Sequence, residues 1–322
     1  MKTIAVLTSG GDSPGMNACI RAVVRTALYH KMEVWGVMRG YEGLMENEFT
    51  ELGSKSVANI IHRGGTVLKT ARSKRFMEAD GLALAARHLS KKGIEGLIVI
   101  GGDGTFRGAQ ALQEQCGISI VGCPGTIDND LIGTDFTIGY DTAINTVIEA
   151  VDKIRDTAES HERLFFVEVM GRDAGLIALR SGIGAGAEAI LIPETPTDID
   201  DLIRRLEGGR KSKSSKIVIV SEHDDAGGAF AIAEKVRTSL PYYDTRVTIL
   251  GHIQRGGNPT CMDRVNASRM GFAAVEALRE GRKGVMVGIV NKDVCFTPFD
   301  QAVKHIEELD QNLLRMVEIL SL

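Results

Sequence analysis

No stretch of this 322-residue sequence approaches the ~20 consecutive apolar residues that a membrane-spanning helix needs. An excess of charge is also missing. The formal net charge is −4, which argues against general affinity for nucleic acid or a membrane surface and leaves anion recognition to local basic clusters. Cysteine is sparse and odd in number (Cys19, Cys116, Cys123, Cys261, Cys295), and no pair has the short spacing of a zinc or redox motif. A reduced, cytoplasmic setting is therefore expected. The apolar run Ile4–Leu7 is too short for a secretory signal, and nothing after it resembles a cleavage site. His161, His223 and His252 show no metal spacing, and neither a Ser-His-Asp nor a Cys-His arrangement can be inferred. Low-complexity tracts and internal repeats are absent. What is present is the composition of a soluble globular protein, 43% hydrophobic and 25% charged, long enough for two domains or one large α/β unit.

Short apolar, β-branched runs recur between helical patterns. Strands are expected near Ile4–Thr8, Val34–Met38, Leu97–Ile100, Ser119–Gly122, Phe165–Met170, Ala189–Ile192, Ile217–Ser221 and Val247–Leu250. Several are continuous apolar runs without alternation, as in strands buried on both faces of a parallel sheet. Helices are expected over Pro14–Leu28, Leu82–Leu89, Thr105–Gln113, Thr142–Ala158, Ile199–Glu207, Ala229–Ser239 and Arg264–Glu280. This alternation predicts a doubly wound α/β architecture. In the first unit, Pro14 stands where a helix would begin, and Asp12 or Ser13 could cap it.

Two glycine-rich carboxylate motifs follow expected strands. In Gly101-Gly102-Asp103-Gly104-Thr105 the glycines let phosphate oxygens reach backbone amides, and Asp103 could hold a magnesium ion bridging the phosphates. Alternatively it is a strand-to-helix turn with a capping aspartate. In Pro124-Gly125-Thr126-Ile127-Asp128-Asn129-Asp130 two carboxylates at i and i+2 share a direction if the segment is extended. One could take a proton from an acceptor hydroxyl, although an Asx-rich turn would favour the same letters. Arg72, Arg163, Arg172, Arg246 and Arg255 lie in glycine-rich or strand-end contexts suited to phosphate recognition. Gly182-Ile183-Gly184-Ala185-Gly186-Ala187 nearly spells a dinucleotide fingerprint. It precedes a strand instead of following one, so a dehydrogenase is rejected.

Together with Leu7-Thr8-Ser9-Gly10-Gly11-Asp12-Ser13-Pro14-Gly15-Met16-Asn17, Met170-Gly171-Arg172 and Gly251-His252-Ile253-Gln254-Arg255-Gly256-Gly257, these motifs resemble those of bacterial ATP-dependent 6-phosphofructokinases, in family order over nearly the whole chain. The resemblance implies two Rossmann-like α/β domains with the active site in the cleft between them. Their approximate bounds would be 1–138 plus 252–303 for ATP and 139–251 plus 304–322 for fructose 6-phosphate. It implies a homotetramer in which the sugar phosphate is bound across a subunit interface. On matching positions, Asp128 would be the catalytic base, Thr126 and Arg172 would orient the transferring group, and Asp130 would support the metal region. Gly11, Arg72, Ser73, Gly102, Asp103, Gly104 and Thr105 would bind ATP, with Asp103 on Mg2+. Thr126, Ile127, Asp128, Met170, Gly171, Arg172, Glu222, His252, Ile253, Gln254 and Arg255 would hold fructose 6-phosphate, and Arg163 and Arg246 would reach its 6-phosphate from the neighbouring subunit.

Pyrophosphate-using relatives tend to carry aspartate where this chain has Gly104 and lysine where it has Gly125, so the resemblance implies ATP. The alternatives are a pyrophosphate-dependent enzyme and a non-catalytic sugar-phosphate sensor on the same fold. The family's effector site for ADP and phosphoenolpyruvate would match at Arg21, Arg25, Arg155, Gly186, Ala187, Glu188, Lys211 and Lys213. Ser54 stands where relatives often have arginine, and Asn59 occupies another effector position, with Lys55 a possible substitute. Losing one charge-assisted contact costs ~1.5–3 kcal/mol, so weakened or altered regulation is expected.

Overall fold

The structure is a computed structural model describing residues 1–161, 163–208, 215–304 and 310–320. It divides into two compact units, Met1–Thr142 with Arg255–His305, and Ala143–Gln254 with Ile306–Leu322.

The first unit opens with β1 (Thr3–Thr8), α1 (Met16–Tyr29), β2 (Glu33–Val37), α2 (Gly40–Met45), β3 (Phe49–Glu51), α3 (Ala79–Lys91), β4 (Gly96–Gly101), α4 (Asp103–Cys116) and β5 (Ser119–Pro124). In the second unit α5 (Tyr140–His161), which starts before the division, is followed by β6 (Arg163–Val169), α6 (Leu176–Gly184), β7 (Ala189–Leu191), α7 (Ile199–Gly208), β8 (Lys216–Ser221), α8 (Gly228–Ser239) and β9 (Asp244–Ile249). The chain then returns to the first unit through a 3-10 turn at Gly251–Arg255, α9 (Cys261–Arg279), β10 (Val285–Val290) and β11 (Asp293–Pro298). It closes with α10 (Gln311–Leu320) in the second unit.

The seven-stranded sheet of the first unit has the order β11-β10-β5-β4-β1-β2-β3, and the second unit carries β7-β8-β6-β9. Pairing is parallel except at the two outer strand pairs of the larger sheet, β2–β3 and β10–β11, which are antiparallel. The continuous apolar strands follow from coverage on both faces. Ile4 and Val6 point to one side, against Ile20, Val23 and Val24 of α1 and Met270 and Ala274 of α9. Ala5 and Leu7 point to the other, with Leu44 of α2, Leu89 of α3 and Phe106 of α4. In the second unit Phe166, Val218 and Val220 pack with Leu202 and Leu206 of α7 and Ile232 and Val236 of α8. The fold is α/β with doubly wound character.

Three local expectations are corrected. Pro14 does not open α1. Ser13–Met16 form a turn closed by Met16 N–H donating to Ser13 O at 3.3 Å, with Gly15 at φ 108° and ψ −16°. That is a type II turn, with Pro at its second position and Gly at its third, and neither Asp12 nor Ser13 caps the helix that follows. The segment around Asp128 is not extended, because Asn129 has φ 55°. The elements β3, β10, β11, α2, α6 and α10 were not anticipated from the sequence. The near-fingerprint at Gly182–Ala187 ends α6: a side chain at Gly182 would meet Ile190 at 2.5 Å, so that glycine serves helix–strand packing.

Candidate active site

Strands β5, β4 and β1 are adjacent and parallel, so the three motifs at their carboxyl ends open on one edge of the sheet. Short bonds tie them together. Ser9 N–H donates to Ile100 O at 3.0 Å, Gly125 N–H to Gly101 O at 2.9 Å, and Thr105 Oγ1 to Ser9 O at 3.1 Å. Gly101 is required by this proximity, since a Cβ there would sit 2.4 Å from Ser9 O. Thr126 closes over the same point, its Cβ 3.9 Å from where a Cβ on Gly102 would stand.

Asp103 is the first residue of α4, where unsatisfied N–H groups and the helix dipole favour anions. It does not cap the helix, so the capping alternative is excluded. Its carboxylate is engaged by Arg107, one turn on: Nε donates to Oδ1 at 3.1 Å and Nη2 to Oδ2. No group of three or more His, Cys, Asp or Glu gathers among the described residues, so the chain builds no cage for a metal there. One carboxylate at an anion-receptive helix start does fit Mg2+, an ion that keeps several waters and is commonly held by only one or two carboxylates.

Gly104 and Gly125 differ. A Cβ on Gly104 meets nothing within 4 Å, so a side chain there would enter open space at the helix N-terminus. A Cβ on Gly125 would meet Met16 Cε at 2.9 Å and Ile100 Cγ2 at 3.1 Å. Only the first glycine leaves room; the second is held small by packing.

Asp128 is 2% exposed, and its N–H donates to Thr126 Oγ1 at 3.2 Å. The turn is fixed by Asn129, whose Oδ1 accepts from Thr137 N at 2.6 Å and whose Nδ2 donates to Asp135 O at 3.1 Å. Asparagine tolerates the left-handed conformation this requires. Asp130 pairs with Lys304 at 3.2 Å. Ile127 is fully buried, so its side chain belongs to the core and only its backbone can face a ligand.

Behind these loops Asp263 joins two helix starts. Its Oδ1 accepts from Gly139 N at 2.8 Å, and its Oδ2 from Thr142 N at 2.8 Å and Thr142 Oγ1 at 2.5 Å, at the amino end of α5. Its own N–H donates to the α9 cap Thr260 at 3.2 Å. Burial pushes its carboxyl up from 3.8 to about 6, against these hydrogen bonds. Sequence reasoning missed Asp263, although the Thr260-x-x-Asp263 spacing is a helix-start signal.

Among the remaining first-unit residues, Arg255 lies over the first motif. Its Nη1 donates to Asp12 O at 3.3 Å and would stand 2.6 Å from a Cβ on Gly11. Arg72 is exposed, and Ser73 Oγ accepts from Phe76 N at 3.2 Å.

In the second unit the carboxyl ends of β6, β8 and β9 gather Met170, Gly171, Arg172, Glu222 and His252. Glu222 Oε1 accepts from Gly171 N at 3.3 Å and Arg172 N at 2.9 Å, which holds Arg172 at φ 53°. Gln254 is fully buried, and its Oε1 accepts from Met170 N at 2.9 Å, so its side chain supports the loop from within. His252 and Ile253 are exposed.

Arg163 and Arg246 do not join this group. Arg163 opens β6, the strand that ends beside Met170, which places it roughly 20 Å away at the strand rise of ~3.3 Å per residue. Both arginines bond Asp244 Oδ2, at 2.7 and 3.0 Å. The hydrogen bond from Arg163 holds the Asp244 carboxyl below its ordinary range.

Of the candidate effector residues, Arg155 donates to Ala185 O and, at 3.5 Å, to Gly186 O, beside Ala187 and the buried Glu188, whose Oε2 accepts from Ile217 N at 2.5 Å. Arg21 and Arg25 lie on α1 in the other unit, and Lys211 and Lys213 fall outside the described residues. Ser54, Lys55 and Asn59 are exposed, Asn59 at φ 54°.

The family model for phosphofructokinase matches residues 3–278. ATP-dependent 6-phosphofructokinase 1 of Thermus thermophilus is 55% identical over 323 residues, covering all of both chains. ATP-dependent 6-phosphofructokinase 2 of Bacteroides thetaiotaomicron is 52% identical over 323 residues, covering 100% of this chain and 99% of its own. The solved phosphofructokinase of Saccharomyces cerevisiae matches with a TM-score of 0.90 at 36% identity, and this chain spans 48% of that longer one. The order of the motifs, the shared sheet edge they occupy and these full-length likenesses have one common reading: the chain belongs to the phosphofructokinase family.

Proposed function

We propose that the protein transfers the terminal phosphoryl group of ATP to the 1-hydroxyl of fructose 6-phosphate, giving fructose 1,6-bisphosphate and ADP. The observation that carries this reading is the convergence, on one sheet edge, of an anion-receptive helix start bearing Asp103 with a loop bearing the buried Asp128. The names of the full-length relatives supply the substrates.

Gly11, Arg72, Ser73, Gly102, Asp103, Gly104 and Thr105 bind ATP in this reading. Asp103 would hold Mg2+, and the ion neutralises charge on the phosphates when bound. Asp128 takes the proton from the sugar hydroxyl, while Thr126 and Arg172 orient the transferring group. Met170, Gly171, Arg172, Glu222, His252 and Arg255 hold the sugar phosphate, with Glu222 and Gln254 also setting the backbone of the Met170–Arg172 loop.

The open space beside Gly104 favours ATP as donor over pyrophosphate. Given fructose 6-phosphate, the purified protein is expected to turn over with MgATP. Turnover with magnesium pyrophosphate alone would overturn the donor assignment.

The distance of Arg163 and Arg246 from the Met170–Arg172 loop supports a homotetramer in which one chain supplies these arginines to the sugar phosphate of its neighbour. Replacing Arg163 or Arg246 by Ser should each raise the KM for fructose 6-phosphate about ten- to a hundredfold, the loss of one charge-assisted contact. At fructose 6-phosphate concentrations well below the KM of the variants, hybrids of Arg163→Ser chains with Arg172→Ser chains should turn over faster than either parent. Hybrids no better than the parents, or a fully active monomer in sedimentation, would sink the shared site. Regulation by an anion at Arg155, Gly186, Ala187 and Glu188, joined by Arg21 and Arg25, is proposed in a weakened or altered form because Ser54 and Asn59 depart from the family pattern.

No helix among the described residues is long and apolar enough to cross a membrane, and the scattered cysteines suit a reduced cytoplasm.

A further inference from the structure

The segment after β11 touches both halves of the first-unit machinery. Phe299 stacks on Phe106 of α4, with ring centroids 5.4 Å apart and planes at 8°, so it packs against the helix whose first residue is Asp103. Ala302 is fully buried in the same core as Phe106, Phe299 and Leu131. Two residues on, the chain anneals to the far end of the Asp128 loop. Ile132 N–H donates to Val303 O at 3.3 Å, and Leu131 and Lys304 form an antiparallel bridge. The side chain of Lys304 then reaches Asp130 Oδ2 at 3.2 Å.

We infer that Lys304 is a positioning residue for phosphoryl transfer, acting through Asp130; the inference rests on the proposed role of the Asp128 loop. Asp128 and Asp130 carry like charges two residues apart, separated by a residue in the left-handed conformation. Such a turn splays readily unless it is held on both sides. On one side Asn129 bonds the backbone at Asp135 and Thr137. On the other, the Lys304 ammonium compensates Asp130 and pins it to a strand-like segment whose backbone is itself paired. Asp130 is 8% exposed, so its carboxylate is shielded from water that would otherwise screen the repulsion. The ion pair holds Asp130 aside and leaves Asp128 as the carboxylate of the turn that faces the acceptor hydroxyl. Acting through Asp130 and not on a substrate, Lys304 should on its loss misplace the base without weakening binding.

Steady-state kinetics of Lys304→Met, Lys304→Arg, Asp130→Asn and the Asp130→Asn/Lys304→Met double variant test this, with melting temperatures measured in parallel. Lys304→Met should lower kcat about tenfold while the KM values for ATP and fructose 6-phosphate move less than about threefold, the pattern of an interaction felt in the transition state. Lys304→Arg should restore kcat to within about threefold of the parent, because the charge returns. In the Asp130→Asn background, adding Lys304→Met should cost no more than about twofold, since residues acting through one another are not additive. If the Met variant does not fold, Lys304→Gln carries the same comparison. Unchanged kcat in a folded Lys304 variant overturns the inference, as do a change confined to KM and full additivity with Asp130→Asn. Asp128→Asn, assayed alongside, separates the two failures. Full activity in that variant would remove the loop's catalytic role itself, whereas an inactive Asp128→Asn with a normal Lys304→Met would remove only the inference about Lys304.

Discussion

Asp128→Asn is expected to lower kcat by about 10²–10⁴-fold, the usual contribution of a positioned general base. The amide keeps the shape of the side chain and can still occupy the same buried position, so ATP should bind as before and the melting temperature should hardly move. The acceptor hydroxyl loses its proton as the phosphoryl group arrives, and an amide cannot take it. Single-turnover measurements with fructose 6-phosphate and MgATP, set beside equilibrium binding of ATP, check both halves of the expectation. A variant that turns over normally would favour a sugar-phosphate sensor on this fold, or a different base. A variant that fails to bind ATP would mean that Asp128 holds the nucleotide site together instead of doing chemistry.

The largest expected effect on stability lies at Asp263, which takes no part in the proposed reaction. Asp263→Ala leaves Gly139 N–H, Thr142 N–H and the Thr142 hydroxyl without their acceptor in a buried setting. Each orphaned buried group costs about 1–3 kcal/mol, so a loss of about 3–5 kcal/mol is expected, reduced by the burial penalty the carboxylate no longer bears. Denaturant unfolding followed by circular dichroism would measure it. The pH dependence carries a sign check. Because burial lifts this carboxyl from 3.8 to about 6, the folded chain binds more protons than the unfolded chain between those values. This group therefore makes stability fall as pH rises from about 4 to about 6 and contributes no slope above that. Asp263→Ala should remove that component, and an unchanged slope would mean that the group titrates alike in both states.

The strands of the sheet centres were legible because their chemistry is redundant. Ile4 through Leu7 are apolar on both faces, since helices cover both, and no register error could hide them. The outer hairpin β10–β11 was not legible. Its two-residue connection, Asn291-Lys292, adopts positive φ at both positions, yet lacks the glycine that usually announces such a turn. Pro14 misled for a related reason: Pro followed by Gly specifies a type II turn as readily as a helix start, and the turn won because Gly15 could take φ 108°. At the candidate site, the loop residues followed from strand-end glycines and carboxylates. The supports did not. Thr137, Asp263 and Lys304 lie 8 to 174 positions from the partners they hold, and even where a local signal exists, as at Thr260-x-x-Asp263, only tertiary contact reveals what the side chain supports. Gln254 shows a role its neighbours did not announce. Its neighbours suggested a ligand contact, but it turns inward to hold Met170 N–H.

The first unit is made of two stretches of chain separated by the second, Met1–Thr142 and Arg255–His305. Its sheet is incomplete until β10 lines up beside β5, and Ile20, Val23 and Val24 of α1 share a core with α9 residues that lie far downstream. During synthesis at ~5–20 residues per second, the ribosome needs on the order of ten seconds to supply the intervening residues. Through that interval the amino-terminal stretch waits with an apolar helix face uncovered, while most of the second unit emerges as one continuous piece able to form its own sheet. The nascent chain is thus most exposed to aggregation in its first half, and slowed translation between β5 and α9 would prolong the danger.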